Sequence, residues 1–353
     1  MPSFEESEST FTTSKGVIAV IVSFNPQKKE FCELLAALLP QVTQAILIDN
    51  HSSPGIFSTI LPLYFEQLEV VVMPENVGIA AAQNVGIERA LAAGADYVFL
   101  SDQDSAPPPT LIAELLAAVN FARKDAAALP IAAAGPATVD CRTGHASFLM
   151  LENKGSPCRW YPPTDAAPLP AFIEVAFLIA SGTLIPACVL KQLGVMRSSY
   201  FIDHVDTEWS FRAKNAGYRL LGVPASKLGH RLGDSVSNAW FFGARRVAVH
   251  PPLRDYYMFR NTIQMLRDTP MALRWKLYFL WRLVQFAGYF LVFTSDRWQR
   301  LKKMLLGLLH ALLGVSGRLE NDSRHCHPIV ASMLEPRADR KTVGCRKPWK
   351  GES

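Results

Sequence analysis

YVFLSDQDSAPPP, residues 97–109, carries an apolar run to two carboxylates, Asp102 and Asp104, and then stiffens the chain with three prolines. The run has the length of a buried strand, and the TLIAELLAAVNFARK that follows has helical apolar spacing, so the stretch reads as strand, loop and helix. Its surroundings repeat the alternation. GVIAVIVSF (16–24) is a β-branched strand entering Asn25-Pro26, a cap and a first helical turn. AILIDN follows as a second strand and a helix-permissive stretch starts after Pro54. LEVVVMP then reads as a third strand, and IAAAQNVGIERALAAG as the helix before DYVFLSD. Near-continuous apolar strands alternating with amphipathic helices predict an α/β fold, a mostly parallel sheet flanked by helices that binds ligands at the carboxyl ends of its strands. Beyond Pro130 the pattern is irregular: GPATVDCRTGHASFLML suggests a hairpin, NKGSPCRWYPPTDAAPLP a loop, and order returns at EVAFLIASGTLIP.

Composition narrows the class. The chain has 353 residues, 49% hydrophobic and 19% charged, which suits a globular protein able to touch a membrane and excludes a membrane bundle. Its six cysteines form no CxxC pair, so neither a disulfide framework nor a structural zinc is expected, and the setting is reduced and cytoplasmic. Residues 1–15 are polar and acidic with no apolar h-region and read as a disordered leader. The net charge of +5 is modest and no nucleic-acid partner is expected. There is no GxGxxG after the first strand and no GxxxxGK[ST], so neither a dinucleotide fingerprint nor a P-loop handles the anion.

The strand ends carry Ser23-Phe24-Asn25, Asp49-Asn50 and Asp102-Gln103-Asp104, which converge on one crevice if the sheet is parallel. Side chains two apart in an extended segment face the same way, so Asp102 and Asp104 can hold one divalent ion, Mg2+ or Mn2+, against a phosphate ligand. Solvated loop acids or a helix cap are the plainer alternative. Asn76 and Gly78 precede a helix whose N-terminus favours anions, or form an ordinary capped turn. FIDHVDTEW gathers Asp203, His204, Asp206 and Glu208, more titratable groups than a capping box needs and the kind of setting a general base uses. His230 is a metal ligand or a structural histidine.

Taken in order, VIVSFNP, AILIDNHS, NVGIAAAQNVGI, FLSDQDS, IASGTLIP, FIDHVDTEWSFR and His230 resemble family-two glycosyltransferases of the Rossmann-like GT-A fold. More narrowly, they resemble bacterial rhamnosyltransferases that use dTDP-L-rhamnose, with LRDYYMFRN as a further subgroup motif. The resemblance covers residues 16–266. It implies nucleobase contact by Asp49 and the Ser23-Phe24-Asn25 turn, ribose and diphosphate contact by Asp102, and metal binding by Asp104 with His230. Asp206 takes the position of the catalytic base, six residues before Arg212, although Val205 stands where the family has a glutamate. Diphosphate or acceptor contact by Arg212, Tyr257, Arg260 and Asn261 is implied as well. The activity implied is metal-dependent, inverting transfer of rhamnose to a saccharide or lipid-linked acceptor in surface-polysaccharide (O-antigen type) or rhamnolipid-like assembly. Transfer from a UDP-hexose, a nucleotidyltransferase, and a non-catalytic membrane-bound scaffold are the alternatives.

Residues 267–319 form a basic amphipathic helical region, with eight Lys/Arg against two acids between Arg267 and Lys303. Within 270–293 the charges Arg274, Lys276 and Arg282 interrupt the apolar run. A spanning helix needs about 20 apolar residues, and a central arginine or lysine costs about 2.5–3.5 kcal/mol, so spanning is disfavoured. The segment either lies at the inner face of the cytoplasmic membrane or packs on the catalytic domain or a second subunit of a homo-oligomer. Residues 320–353 read as a flexible polar tail.

Overall fold

The structure, a computed structural model, describes residues 14–57, 66–140, 147–163, 168–230, 235–240, 244–294 and 296–319; the side chains of 14, 15, 230, 235–240 and 244–249 fall outside that description. The expected leader and polar tail, and most of the helix expected after Pro54, lie outside the described residues.

The chain forms β1 (Ser14–Ser23), α1 (Lys28–Leu38), β2 (Val42–Asp49), β3 (Leu68–Val72), α2 (Ile79–Ala92), β4 (Tyr97–Asp102), α3 (Leu111–Ala122) and β5 (Ile131–Asp140). It continues as β6 (Leu149–Asn153), β7 (Ser156–Trp160), β8 (Ile173–Val175), β9 (Thr183–Pro186), α4 (Ala187–Leu193), α5 (Val205–Asn215) and β10 (Arg219–His230). The hairpin β11 (Ser235–Trp240) and β12 (Ala244–Val249) then leads to three helices, α6 (Pro252–Asp268), α7 (Leu273–Phe293) and α8 (Arg297–Leu312). Eight strands make one sheet in the order β3-β2-β1-β4-β9-β5-β10-β8. It is mostly parallel, with β9 antiparallel to β4 and β5, and β8 antiparallel to β10. The expected α/β architecture is therefore present.

Alternation along the central strand explains the two-faced core. Ile18, Val20 and Val22 of β1 pack on one side with residues of α2 and α5, while Val17, Ala19 and Ile21 pack on the other with α1 and α3. Parallel register then fixes the crevice: Ser23 pairs with Asp49 and Val22 with Asp102, so three strands end together.

The irregular region departs from the sequence reading. β5 joins the main sheet beside β9 and β10, and the hairpin is β6–β7, where a loop was expected. Its turn is Lys154-Gly155, with φ of 48° and 76°. Left-handed conformation at both central residues matches the twist of the paired strands, and glycine supplies one of them without penalty. A compact unit, Met1–Arg318, holds the sheet together with α6, α7 and α8. No helix among the described residues is long and apolar enough to cross a membrane.

Candidate active site

The first wall of the site is the row of strand ends. Ser23 is buried and its hydroxyl donates to Gln103 Oε1 at 3.1 Å, and the Phe24 N–H donates to the same oxygen at 2.7 Å. Gln103, between the two acids, thus ties the β4 end to the β1 end. Phe24 itself is 45% exposed, an aromatic face open to a ligand. Asn25 has φ of 48°; its N–H donates to Ser52 Oγ (2.8 Å) and its Oδ1 accepts from Ser53 N–H (2.8 Å). Asp49 is buried and accepts from Ser52 N–H at 2.9 Å. Asn50, to which the sequence pattern assigns no role of its own, anchors the loop before α2. It receives Val77 N–H at 3.0 Å and gives its amide to Asn76 Oδ1 at 3.2 Å, and that oxygen also caps Gly78 N–H at 3.0 Å.

The second wall is the loop 199–204 and the first turn of α5. Phe201, Asp203 and His204 have φ of 64°, 67° and 60°, three non-glycine residues in the left-handed region just before the helix. Such conformations persist only where surrounding contacts enforce them. Asp206 follows. Its Oδ2 accepts the Ala180 N–H at 3.1 Å and its Oδ1 the Thr207 N–H at 2.7 Å. Burial raises its pKa; the hydrogen bonds from Thr207 and Ala180 oppose the rise, and the charge of Asp102 adds to it.

The two walls are joined. Ser105, the serine of SDQDS, meets Ser181 hydroxyl to hydroxyl at 2.6 Å in a buried contact, and the neighbouring Ala180 N–H is the one that holds Asp206. The β4 acids and the α5 acid therefore belong to one constellation. Beside it opens a cavity of about 480 Å³ whose lining includes Ile179, Ser181, His204 and Thr207 around Asp206, with Phe148 and Phe279 farther out.

Against that geometry stand the likenesses to known proteins. The profile of Glycosyl transferase family 2 matches residues 18–193, which contain the strand ends, Asp102, Asp104 and the Ala180-Ser181 turn. The chain belongs to glycosyltransferase family 2. It is 26% identical over 305 residues to the dTDP-rhamnosyl transferase RfbF of Shigella flexneri, covering 86% of this chain and 98% of that one. Its fold resembles S. aureus TarS 1–349 in complex with UDP-GlcNAc, at a TM-score of 0.54 and 12% identity over 85% of this chain and 81% of that one. TarS 1–349 without that ligand gives 0.51 at 12% identity, over 84% and 80%.

The remaining expected residues of this glycosyltransferase sit around the cavity in different ways. Asp203 is bound by the Arg254 guanidinium through Nε at 3.0 and 3.3 Å. Burial lowers the pKa of His204, against the opposing charge of Asp203. The Thr262 hydroxyl meets His204 Nε2 at 2.8 Å and Met258 O at 2.7 Å. Glu208 and Arg212 lie under the site: Glu208 is buried and shared by Arg197 and Arg212 at 3.2 Å each, and Arg212 also donates to Leu193 O and Val195 O. Tyr257, Arg260 and Asn261 support the 199–204 loop from behind. Tyr257 stacks on Phe201 at 4.9 Å, and Arg260, fully buried, donates to Ser199 O, Tyr200 O and Gly317 O. Asn261 is fully buried as well. Tyr257, Arg260 and Asn261 thus meet the loop, while Met258 of the same motif lines the cavity, a placement that only the packing of α6 reveals.

Asp102 and Asp104 sit partly exposed at one turn, with Asp102 near enough to Asp206 to be felt. Two hard oxygen donors fit a divalent ion that completes its shell with ligand oxygens and water, as Mg2+ commonly does. No group of three His, Cys, Asp or Glu suited to a metal occurs among the described residues. The His230 backbone ends β10 opposite Asp140, and its side chain lies outside the described residues.

Proposed function

We propose that the enzyme transfers L-rhamnose from dTDP-L-rhamnose to a hydroxyl of a saccharide or glycolipid acceptor, with inversion, in surface-polysaccharide or glycolipid assembly at the inner face of the cytoplasmic membrane. The donor assignment is supported by the likeness, along almost the whole of both chains, to a protein named for dTDP-rhamnosyl transfer. The reaction rests on one observation above all: a half-buried carboxylate, Asp206, held by two backbone N–H groups beside the cavity and tied through Ala180-Ser181 to Ser105, next to Asp104.

The roles follow from that placement. The nucleobase lies against Phe24 and Asp49, and the ribose and diphosphate extend toward Asp102 and the N-terminus of α2, where Asn76 and Gly78 shape the turn and the helix dipole favours negative charge. Asp102 and Asp104 would hold a divalent ion, Mg2+ or Mn2+, which when bound would supply Lewis-acid neutralisation of the diphosphate. An acceptor hydroxyl entering from the cavity attacks the anomeric carbon as Asp206 takes its proton, and the bond to the nucleoside diphosphate breaks on the opposite side. A single displacement inverts the centre. Proton removal of this kind contributes about 100- to 10,000-fold, and the raised pKa of Asp206 brings its basicity closer to the working pH.

The test is incubation of the purified protein with Mg2+ and a panel of nucleotide sugars while released nucleoside diphosphate is measured. Release from dTDP-L-rhamnose is expected. Preference for a UDP-hexose removes the rhamnosyl assignment, and inorganic diphosphate released from a nucleoside triphosphate would move the protein to another reaction class.

A further inference from the structure

α7 is apolar on two opposite faces. Trp275, Phe279, Leu283 and Phe290 are buried, and the same side, through Tyr278, Phe279, Arg282 and Phe286, lines the cavity beside Asp206. On the other side Leu273, Leu277, Leu280, Trp281 and Val284 are exposed, Leu273 at 70% and Trp281 and Val284 at 59%. Their spacing follows successive helical turns, so they form one stripe about 17 Å long at 1.5 Å per residue, with no charged residue within it. α8 repeats the device with Trp298, Leu305 and Leu312, exposed and seven residues apart. Monomeric proteins seldom leave such apolar surface to water unless it meets something.

The borders of the stripes identify what they meet. Arg274 and Lys276 flank the stripe on α7, and Arg297 and Lys302 adjoin that on α8. Among the described residues Lys276, Arg297 and Lys302 have no carboxylate partner. A second copy docked by a twofold axis would set these cations against themselves. An anionic bilayer meets both features at once, lipid phosphates facing the cations and the acyl boundary receiving the leucines and tryptophans.

We propose that the exposed faces of α7 and α8 dock the enzyme on an anionic membrane surface, so that the helix lying on the lipid is also the wall of the acceptor cavity. This rests on the transfer reading above and deepens it: an acceptor anchored in lipid reaches Asp206 along α7, without leaving the surface.

The test is co-sedimentation of the full chain with phosphatidylcholine vesicles, with and without phosphatidylglycerol. Wild type is expected to bind the phosphatidylglycerol vesicles, and the double variant Leu277→Glu/Val284→Glu to bind about tenfold less or weaker still. Both positions are solvent-exposed, and the variant is expected to keep the wild-type rate of dTDP release from donor in solution. Equal vesicle binding by the variant overturns the proposal. So does equal binding of wild type to both vesicle types, or self-association abolished by the double substitution in a protein that ignores vesicles. Vesicle binding is read without donor and dTDP release without vesicles, so the membrane and transfer readings fail separately.

Discussion

The side-chain nitrogen of Asn261 lies 2.8 Å from the carbonyl oxygen of Tyr200. The same nitrogen reaches Ile202 O at 2.6 Å and Asp203 O at 3.1 Å, so one buried amide gathers the loop in which Phe201, Asp203 and His204 are left-handed. Left-handed backbone costs about 1–2 kcal/mol per non-glycine residue, and the loop keeps it because its carbonyls have a donor. Asn261→Asp retains the shape and replaces the donor by an acceptor facing three oxygens. Its expected loss is about 2–3 kcal/mol in denaturant unfolding, with a larger fall in transfer rate than Asn261→Ala. An Asp variant as stable and active as wild type would sink the clamp.

Asp206→Asn keeps one oxygen acceptor, enough for only one of the Ala180 and Thr207 N–H groups, and removes the basic carboxylate. Transfer is expected to fall about 100- to 10,000-fold with donor binding unchanged. The pH profile tests the same group. Its folded pKa is raised by burial above the ordinary 3.8, so the active, ionised form is lost as pH falls through a value higher than that of an exposed aspartate. The acid limb of kcat/KM should therefore lie above 3.8 and vanish from the residual activity of the Asn variant.

Gly78 joins the loop before α2 to the 199–204 loop by contact. Its φ is +83°, and an added Cβ would sit 2.5 Å from the Phe201 ring and 2.6 Å from the Phe201 carbonyl oxygen. A ring can turn, whereas a backbone oxygen bonded to Ile79 N–H at 2.7 Å moves only with the loop. Gly78→Ala is expected to cost about 1–3 kcal/mol from backbone conformation alone, and to raise the donor KM by displacing the N-terminus of α2. Steady-state kinetics with wild-type KM would show that the two loops move independently.

The legibility of fold and site depends on the range of the interaction. Strand ends are local patterns, so the assumption of a parallel sheet is enough to align Ser23, Asp49 and Asp102 from sequence, and the strand register does bring them together. The Ser105–Ser181 contact and the Ala180 N–H on Asp206 span long stretches of chain and leave no periodic trace. For Arg260 and Asn261 the family resemblance implies diphosphate or acceptor contact; the carbonyls that satisfy both side chains here belong to another loop, a pairing without local pattern. α7 presents a choice between membrane and protein because its sequence is apolar around most of the helix. Packing consumes one side and leaves the other, which composition alone does not resolve.

Arg300 and Asp255 form a buried pair at 2.8 Å, with both side chains nearly inaccessible. The pair pins α8 to α6, and Arg300 also donates to His250 O at 2.7 Å. Burial pushes the Asp255 pKa up to about 6 despite the guanidinium, so desolvation outweighs attraction here. Because the folded value is above the unfolded 3.8, the group's favourable contribution is complete below 3.8 and is lost as pH rises through about 6. Arg300→Met leaves the carboxyl buried without its cation and is expected to cost about 3–5 kcal/mol. The loss should be greater above pH 6 than below it, since a protonated Asp255 needs no counter-charge. Arg300→Met/Asp255→Asn should recover part of that stability and flatten its pH dependence. Equal destabilisation by Arg300→Met on both sides of pH 6, measured by thermal unfolding, would show that packing of the arginine stem and not charge holds α8 in place.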